Sequence, residues 1–284
     1  MKLDFVKMEG LGNDFILVDN RSHLLPDASA CSRAAETLCD RHFGIGADGL
    51  ILIEPGTMDA DLSFSIFNSD GSEAEMCGNG MRCFAKRVYE TGACRNTEMR
   101  IATRAGCIQP RVNLNAQDQV ESVTVDMGVP VFTPEAIPFT GKGESMVAQH
   151  LHVEEMTFTA TLVSMGNPHA VIFVDRVDTV PLTVWGPLIE NLPVFPQKTN
   201  VEFVEVRSRT DVRMRVWERG AGVTLACGTG ACAVLAAGVL ENRTEREARV
   251  RLPGGDLHLN WDAVTGRMYK TGPARSVFEG VVYL

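Results

Sequence analysis

The sequence predicts an α+β fold, with α and β elements mixed along the chain as in α/β proteins, in two similar domains. The first observation behind this prediction is a segment that occurs twice, at residues 68–83 and 217–230, and runs strand, glycine turn, cysteine, helix. The second is the series of short strand patterns around each of these helices. The third is the length of 284 residues, which allows two domains of roughly 100–150 residues, each with its own core.

In both copies, the cysteine lies where a turn becomes a helix. The two motifs are Cys77-Gly78-Asn79-Gly80 and Cys227-Gly228-Thr229-Gly230. The first N–H groups of a helix lack internal partners, and the helix dipole favours negative charge there. We therefore expect both thiols to have a lowered pKa, roughly 3.5–7.5 by precedent. Two equivalent thiols suit a reaction that removes a proton from one face of a carbon and delivers one to the other.

The similarity of the two halves extends beyond the cysteines. Asn68 precedes Cys77 by the same spacing with which Glu218 precedes Cys227. Further upstream, a Gly-Asn pair that ends in Asn13 follows one strand pattern, and a pair that ends in Asn167 follows another. Each half therefore presents an asparagine, a polar strand end and a Cys-Gly-x-Gly turn.

The elements of the first half follow from short apolar runs and their spacing. Leu62, Phe64 and Ile66 alternate as in a strand, whereas apolar residues from position 81 onward have helical spacing that ends at Gly92. A turn at residues 9–13 between two apolar runs indicates a hairpin. The predicted strands are 3–8, 15–19, 50–53, 62–67, 99–103, 107–112 and 120–126, and the predicted helices are 29–41 and 81–91.

The second half repeats this mixture. The predicted strands are 147–153, 157–163, 170–174, 200–206 and 213–217, and the predicted helices are 182–191 and 230–241. Helix 230–241 is apolar on nearly all sides, which predicts that it is buried. The segment 128–144 is rich in proline and glycine and is the best candidate for a linker, giving domains 1–126 and 127–271. The last segment, 277–284, is strand-like.

Charge and apolar patterning exclude several classes of function. A net charge of −9 without a basic run argues against nucleic-acid binding. No apolar run approaches the roughly 18 residues of a membrane span, and residues 1–6 begin directly on a strand pattern without a signal region. We therefore expect a cytoplasmic protein that binds neither nucleic acid nor membrane.

The other cysteines are expected to be structural. None of the eight cysteines forms a Cys-x-x-Cys pair or has a zinc-finger spacing to histidine, so no metal is expected. We expect the thiols outside the two motifs to be small buried side chains: Cys31, Cys39, Cys94 and Cys107, and also Cys83 and Cys232 within the two cysteine helices. We expect Arg82, Lys86 and Arg87 to lie on the solvated side of the first cysteine helix.

Six motifs around the two cysteines resemble the diaminopimelate epimerase family, in the family's order and over essentially the whole chain. They are Gly12-Asn13-Asp14-Phe15, Asn68-Ser69-Asp70-Gly71-Ser72-Glu73, Glu75-Met76-Cys77-Gly78-Asn79-Gly80, Met165-Gly166-Asn167-Pro168-His169, Glu218-Arg219-Gly220 and Ala226-Cys227-Gly228-Thr229-Gly230. The resemblance implies two pseudo-symmetric domains, each a curled, mostly antiparallel sheet around a central helix, with the active site in the cleft. It also implies that a C-terminal strand, 272–284, completes the first domain and that the protein is a homodimer.

The same resemblance implies an isomerase that interconverts LL- and meso-diaminopimelate on the route to lysine and peptidoglycan, without pyridoxal phosphate, another cofactor or a metal. Carried over by matched position, Cys77 and Cys227 are the acid/base thiols, assisted by His169 and Glu218. The resemblance implies the following substrate contacts: Gly78, Asn79, Gly228 and Thr229 at the α-carboxylate, Asn13, Asn68, Asn167, Asn200 and Arg219 at the distal amino-acid end, and Glu218 beside them. Where some members have a glutamine in the pocket, this chain has Gly49.

Other interpretations stay open at this point. The same scaffold with a different distal pocket would be a racemase of another amino acid, such as histidine or proline. A protein that uses the glycine loops only to hold an anion is a second alternative, although neither loop has a phosphate-binding glycine pattern. At the residue level, the thiols could be buried core, His169 a capping side chain, Glu218 an ion-pair partner of an arginine, and the asparagines turn formers.

Overall fold

The structure is a computed structural model that describes residues 1–141 and 145–284. Residues 142–144, at the end of the predicted linker, lie outside the described residues. Contacts between Cα atoms divide the chain into two compact units, residues 1–126 with 271–284, and residues 127–270. Each unit is described by itself below.

The first unit begins with a strand hairpin and contains two helices. Its elements, in chain order, are β1 (Lys2–Gly10), β2 (Asn13–Asp19), α1 (Ala28–Cys39), β3 (Gly49–Thr57), β4 (Ala60–Asn68), β5 (Glu73–Ala74), α2 (Gly78–Glu90), β6 (Ile101–Thr103), β7 (Gly106–Ile108), β8 (Arg111–Leu114) and β9 (Val120–Asp126).

The second unit has the same mixture of short strands and two α-helices. Its elements are β10 (Gln149–Val153), β11 (Met156–Ser164), β12 (Pro168–Phe173), a 3-10 turn (Val177–Thr179), α3 (Leu182–Glu190), β13 (Asn200–Ser208), β14 (Asp211–Glu218), β15 (Gly222–Val223), α4 (Gly228–Leu240), β16 (Glu247–Leu252), β17 (Gly255–Trp261) and β18 (Met268–Gly272). The last strand, β19 (Arg275–Tyr283), belongs to the first unit.

The strand order repeats between the units. In the first unit it is β19-β1-β2-β3-β4-β6-β7, with β5 on β4, and in the second it is β10-β11-β12-β13-β14-β16-β17-β18, with β15 on β14. Each unit has two parallel pairs, β2–β3 and β4–β6 in the first, β12–β13 and β14–β16 in the second. A helix lies in the crossover of each pair, as parallel strands require. The predicted fold class is confirmed. The two units are pseudo-symmetric because the order of their strands and the positions of their parallel pairs repeat.

The cysteine helix of each unit is packed on several sides. In α2 the residues with helical spacing, Met81, Phe84, Ala85 and Val88, are all completely buried. In α4 every residue from Gly230 to Gly238 is buried. Burial of α4 on all sides confirms the prediction made from its uniformly apolar sequence.

The β1–β2 hairpin closes through two residues in left-handed conformation, Leu11 with φ 61° and Gly12 with φ 85°. Such a turn matches the right-handed twist of the flanking strands. The residue that follows the turn is Asn13, which begins β2. The turn therefore places this predicted substrate-binding asparagine at a strand end, beside the start of α2.

Two expectations, about strand 107–112 and about Cys107, are wrong, and three strands were not predicted. The predicted strand 107–112 is interrupted and forms β7 and β8, because Pro110 between them has no N–H to donate to a ladder. Strands β16, β17 and β18 were not predicted, although Ala248, Val250 and Leu252 alternate with polar residues. Cys107 is exposed rather than buried.

The predicted linker packs onto the second unit instead of crossing solvent. Ile137 and Phe139 are buried in the core of that unit, and Val131 pairs with Ser164. Apolar residues spaced along a proline-rich segment anchor it without forming a regular element. Among the described residues, we find no helix with both the length and the apolarity needed to cross a membrane.

Candidate active site

Each predicted thiol is the N-cap of a helix. The Sγ of Cys77 accepts a hydrogen bond from the Gly80 N–H at 3.4 Å, and the Sγ of Cys227 accepts one from the Gly230 N–H at 3.3 Å. A Cβ at position 80 would lie 2.9 Å from Ile51 Cδ1. A Cβ at position 230 would lie 2.7 Å from a carboxylate oxygen of Glu202. The second glycine of each motif therefore makes room for the helix start, which holds the sulfur at the positive end of the helix dipole.

In the first unit, two asparagine amides surround the half-buried Cys77. The Cys77 thiol and the Asn79 Nδ2 both donate to the Oδ1 of Asn13, at 3.8 and 3.2 Å. The Asn13 Nδ2 in turn donates to Asp48 Oδ2 at 2.6 Å. These contacts fix the orientation of the Asn13 amide, so Asn13, Asn79 and Cys77 form one half-site.

An ion-pair network lies behind Asn13. Asp14 pairs with Lys7 at 2.6 Å and with Arg41 at 2.7 Å, and Arg41 also pairs with Asp48. Burial raises the pKa of Asp14, but hydrogen bonds from Arg41 and Lys7 outweigh burial and lower it to about 2. The network therefore ties the loop that carries Asp48 to the start of β2, where Asn13 lies.

Arg82 lies in the interior, so its predicted place on the solvated side of the helix is wrong. Its side chain is completely buried, and burial lowers its pKa. Arg82 Nη1 donates to Asn79 Oδ1 at 2.8 Å, and its Nε donates to the carbonyl of Pro273 at 3.0 Å. Among the described residues, Nη2 has no hydrogen-bond partner. The residue type suggests that this face of the helix is exposed. In the structure, Arg82 is buried and orients the amide of Asn79.

Asn68 and Gly49 lie side by side at the end of β4 and the start of β3, where they pair in register. Asn68 is exposed, and its Nδ2 donates to Ser72 Oγ at 2.9 Å. A Cβ at Gly49 would lie 2.8 Å from the carbonyl oxygen of Phe67. Any side chain at position 49 would require the strands to shift, so this chain has no glutamine-like contact beside Asn68.

In the second unit, Cys227 is buried among acidic groups. Its Sγ is 3.6 Å from Thr229 Oγ1, and the negative charges of Glu218 and Glu202 act on it. Burial raises the pKa of Cys227 well above its ordinary value, and the negative charges of Glu218 and Glu202 raise it further. The expectation of a lowered pKa is therefore wrong for Cys227, because burial and two carboxylates outweigh the helix N-terminus. Burial also raises the pKa of Glu218.

His169 connects to this thiol through other side chains. It is completely buried, with Nδ1 2.7 Å from Glu202 Oε1 and Nε2 3.0 Å from Asn167 Oδ1. Asn167 Nδ2 donates to Thr229 Oγ1 at 3.3 Å. Glu202 is not among the site residues that the sequence motifs predict. The available signal was an acidic residue beside Val201 and Phe203 in an otherwise apolar strand start.

Asn200 and Arg219 meet at the ends of β13 and β14. Asn200 is buried, and its Nδ2 donates to the Pro168 carbonyl at 2.8 Å. Its Oδ1 accepts the backbone N–H of Arg219 at 2.9 Å. The Arg219 side chain is exposed and donates to the Gln197 carbonyl at 3.0 Å. The Asn200 amide thus holds the turn that presents Arg219, as a turn-stabilising asparagine would.

Comparison with known proteins identifies a matching family. The family model described as diaminopimelate epimerase matches residues 5–133 and 161–277. A curated protein named diaminopimelate epimerase from Moorella thermoacetica is 50% identical over 278 residues, covering 98% of both chains. Another of that name, from Microcystis aeruginosa, is 51% identical over 285 residues and 99% of both chains.

Solved structures with much lower identity share the fold. A hydroxyproline epimerase from Agrobacterium vitis aligns with a TM-score of 0.71 at 17% identity, over 99% of this chain and 92% of that one. A phenazine biosynthesis protein of the PhzF family from Bacillus anthracis aligns with a TM-score of 0.72 at 15% identity over all of both chains. At such identity, the likeness concerns architecture alone.

Proposed function

Because this chain belongs to the diaminopimelate epimerase family, we propose that it interconverts LL- and meso-diaminopimelate by moving a proton between the substrate and two thiols, Cys77 and Cys227. The observation that best supports this is the duplicated device, a cysteine that caps a buried helix and accepts its third N–H. The proposed reaction needs no cofactor or metal and serves the synthesis of lysine and peptidoglycan precursors.

Inversion at Cα requires a base on one face and an acid on the other, because a single base would return the proton to the same face. The raised pKa of Cys227 keeps its proton at neutral pH, so Cys227 is the acid in the free enzyme. Cys77, once its thiol has lost the proton that it donates to Asn13, is then the base for one stereoisomer, and the roles exchange for the other.

The carbanion formed at Cα needs stabilisation of its developing negative charge. We propose that the N-termini of α2 and α4 bind the α-carboxylate through the backbone N–H groups of Gly78 and Asn79, and of Gly228 and Thr229. Helix N-termini favour anions, and preorganised donors at a developing charge are among the largest catalytic effects.

The distal end of diaminopimelate is a second amino-acid group, which carries both charges. The exposed side chains of Asn68 and Arg219, at the ends of β4 and β14, are proposed to bind it, with Asn13 and Asn167 beside the thiols. Asn200 would contribute by holding the Arg219 turn, and Glu218 by its negative charge, which together with burial raises the pKa of Cys227.

The two-thiol mechanism is tested by following exchange of the α-proton of LL-diaminopimelate in deuterated water. Cys77→Ser and Cys227→Ser should each lower turnover roughly 10³-fold or more while the substrate still binds, because a hydroxyl is a far weaker acid than a thiol. Cys107→Ser, which removes an exposed thiol outside both half-sites, is the matched control. Full turnover in either half-site variant would refute the mechanism.

A substrate panel distinguishes this activity from that of other racemases on the scaffold. LL-diaminopimelate, L-proline and L-histidine are compared in the same exchange assay. We expect exchange with diaminopimelate alone, because Arg219 and the asparagines suit a charged distal group. Exchange with proline or histidine alone would overturn the assignment of substrate.

We propose that the protein is a cytoplasmic homodimer that acts on a small amino acid rather than on nucleic acid or membrane. A reducing compartment suits its cysteines, all of which are free thiols in the structure.

Strand β19 is at the edge of its sheet and exposes apolar side chains, including Val277, Val281 and Tyr283. A second copy would cover this edge. Light scattering should show a dimer that Val281→Asp weakens, and a wild-type monomer at all concentrations would contradict this.

A further inference from the structure

Glu202 is a buried carboxyl group in the second unit. It contacts His169, which is linked to Cys227 through Asn167 and Thr229. It is on β13, beside His169 on β12, and its side chain is completely buried. Its Oε1 lies 2.7 Å from His169 Nδ1, whereas its Oε2 has no hydrogen-bond partner in the described part of the chain. Burying a carboxyl with one oxygen unsatisfied costs free energy. This cost indicates a role for Glu202 beyond packing.

The hydrogen bonds that lead from Glu202 have one consistent direction. Asn167 Oδ1 only accepts, so the His169 Nε2 next to it must carry a proton and donate. His169 Nδ1 then faces Glu202, either as a second donor to a carboxylate or as the acceptor of a carboxyl proton. In both arrangements the proton stays on Nε2, and the contact with Glu202 holds the Nδ1 side of the ring.

The same direction continues to the thiol. With its Oδ1 occupied by His169, the Asn167 amide presents Nδ2, which donates to Thr229 Oγ1. Thr229 has one hydroxyl proton, which is then directed to the Sγ of Cys227 at 3.6 Å. The hydrogen bonds thus lead from Glu202 through His169, Asn167 and Thr229 to Cys227. Burial and the negative charges of Glu218 and Glu202 raise the pKa of Cys227, so its thiol keeps the S–H in this arrangement.

We propose that Glu202 is a positioning residue for the epimerase reaction, which holds the His169 ring so that the Asn167 amide and the Thr229 hydroxyl keep one orientation around Cys227. This inference rests on the proposed function. It also gives His169 a positioning role, because both ring nitrogens are engaged by Glu202 and Asn167. The charged groups that act on Cys227 in this arrangement come from two strands, Glu218 on β14 and Glu202 on β13.

The first test compares three variants in the α-proton exchange assay. Glu202→Leu removes the carboxyl group that contacts His169 Nδ1 and should lower kcat/KM roughly a hundredfold, the effect of misplacing groups at a reacting centre by about 1 Å. Glu202→Gln should restore most of the activity, because its amide N–H can donate to Nδ1 and leave the proton on Nε2. Glu205→Gln is the matched control. It removes a carboxyl from the same strand, whose partners are the Val177 N–H, Arg207 and Arg213.

The second test does not depend on activity. In ¹⁵N NMR of the full chain, the His169 Nε2–H should be protonated and slow to exchange with water in the wild type and in Glu202→Gln. In Glu202→Leu the signal should broaden or exchange rapidly. A Glu202→Leu protein that keeps both this signal and wild-type kcat/KM overturns the proposal, as does a Glu202→Gln protein as impaired as Glu202→Leu.

The two readouts separate the possible failures. If the wild type does not exchange the α-proton of LL-diaminopimelate, the proposed function fails, while the NMR comparison still decides whether Glu202 holds His169. A role in folding alone would lower the thermal unfolding temperature of Glu202→Leu and leave the His169 signal and the kcat of the folded fraction unchanged. That outcome also rejects the proposal.

Discussion

At the scale of single residues, the two thiols share a local geometry but differ in their surroundings. Both accept the third N–H of a helix, as the repeated Cys-Gly-x-Gly sequence predicts. Cys77 is half-buried beside the neutral amide of Asn13, whereas Cys227 is buried beside the carboxylate of Glu218. The repeated motif is therefore symmetric in backbone and asymmetric in electrostatics.

One prediction at this scale concerns the charge beside Cys227. Because Glu218 raises the pKa of that thiol, Glu218→Gln should lower it and move the pH midpoint of its alkylation by iodoacetamide to lower pH. Each pKa unit changes the thiolate fraction roughly tenfold below the midpoint. Mass spectrometry of the labelled peptide at a series of pH values measures the midpoint. Glu247→Gln, at an exposed carboxyl, is the control, and an unchanged or raised midpoint for Glu218→Gln would contradict the prediction.

At the scale of elements, a buried arginine of helix α2, Arg82, orients the half-site at the start of that helix. Arg82 Nη1 fixes the Oδ1 of Asn79, so the Nδ2 of that amide points to Asn13. The face of α2 that carries Arg82 therefore packs inward behind the half-site. Sequence patterning could not identify it, because arginine is almost always found at least partly exposed.

Replacing this arginine should weaken substrate binding more than it slows the proton transfer. In Arg82→Met the Asn79 amide loses the donor that orients it, so we expect KM to rise about tenfold, which corresponds to roughly 1.4 kcal/mol for a hydrogen bond to a charged group. Steady-state kinetics with LL-diaminopimelate measures the effect. Lys86→Met is the matched control on the same helix, where the lysine pairs with Glu90. Equal KM values in the two variants would show that Arg82 does not orient the half-site.

At the scale of the whole molecule, each unit buries reduced thiols in its core. Burial raises the pKa of Cys31 and Cys232 to about 11, and that of Cys39 and Cys83 to about 12. A raised pKa means that the folded chain keeps these protons at a pH where the unfolded chain has lost them. The stability that they contribute is thus present below the unfolded thiol pKa, near 8.5, and falls as the pH rises above it.

Urea unfolding under reducing conditions should therefore show a midpoint that is level between pH 7 and 8 and falls between pH 8.5 and 10. Each buried thiol adds a slope of up to about 1.4 kcal/mol per pH unit. Cys83→Ala should make the fall less steep. A midpoint that stays level or rises to pH 10, or a slope unchanged in Cys83→Ala, would be inconsistent with buried protonated thiols.

Much of the architecture was predictable from the chain, and the exceptions have physical causes. The fold class, the family and the epimerase function are confirmed, since they rest on motifs and periodicities that are local in sequence. The sequence predicts a linker at 128–144 because the segment is rich in proline and glycine. That composition does not reveal that Ile137 and Phe139 are buried in the core. The roles of the individual site residues, the domain limits and the dimer stay predictions.

The sequence by itself determined where each cysteine meets a helix, which helix is buried on all sides and which family the chain belongs to, because these properties depend on neighbours along the chain. The tertiary structure alone decided that Glu202 lies against His169, that Arg82 orients Asn79 and that Cys227 keeps its proton. These three outcomes depend on burial and on charges from distant strands, which a one-dimensional pattern does not contain.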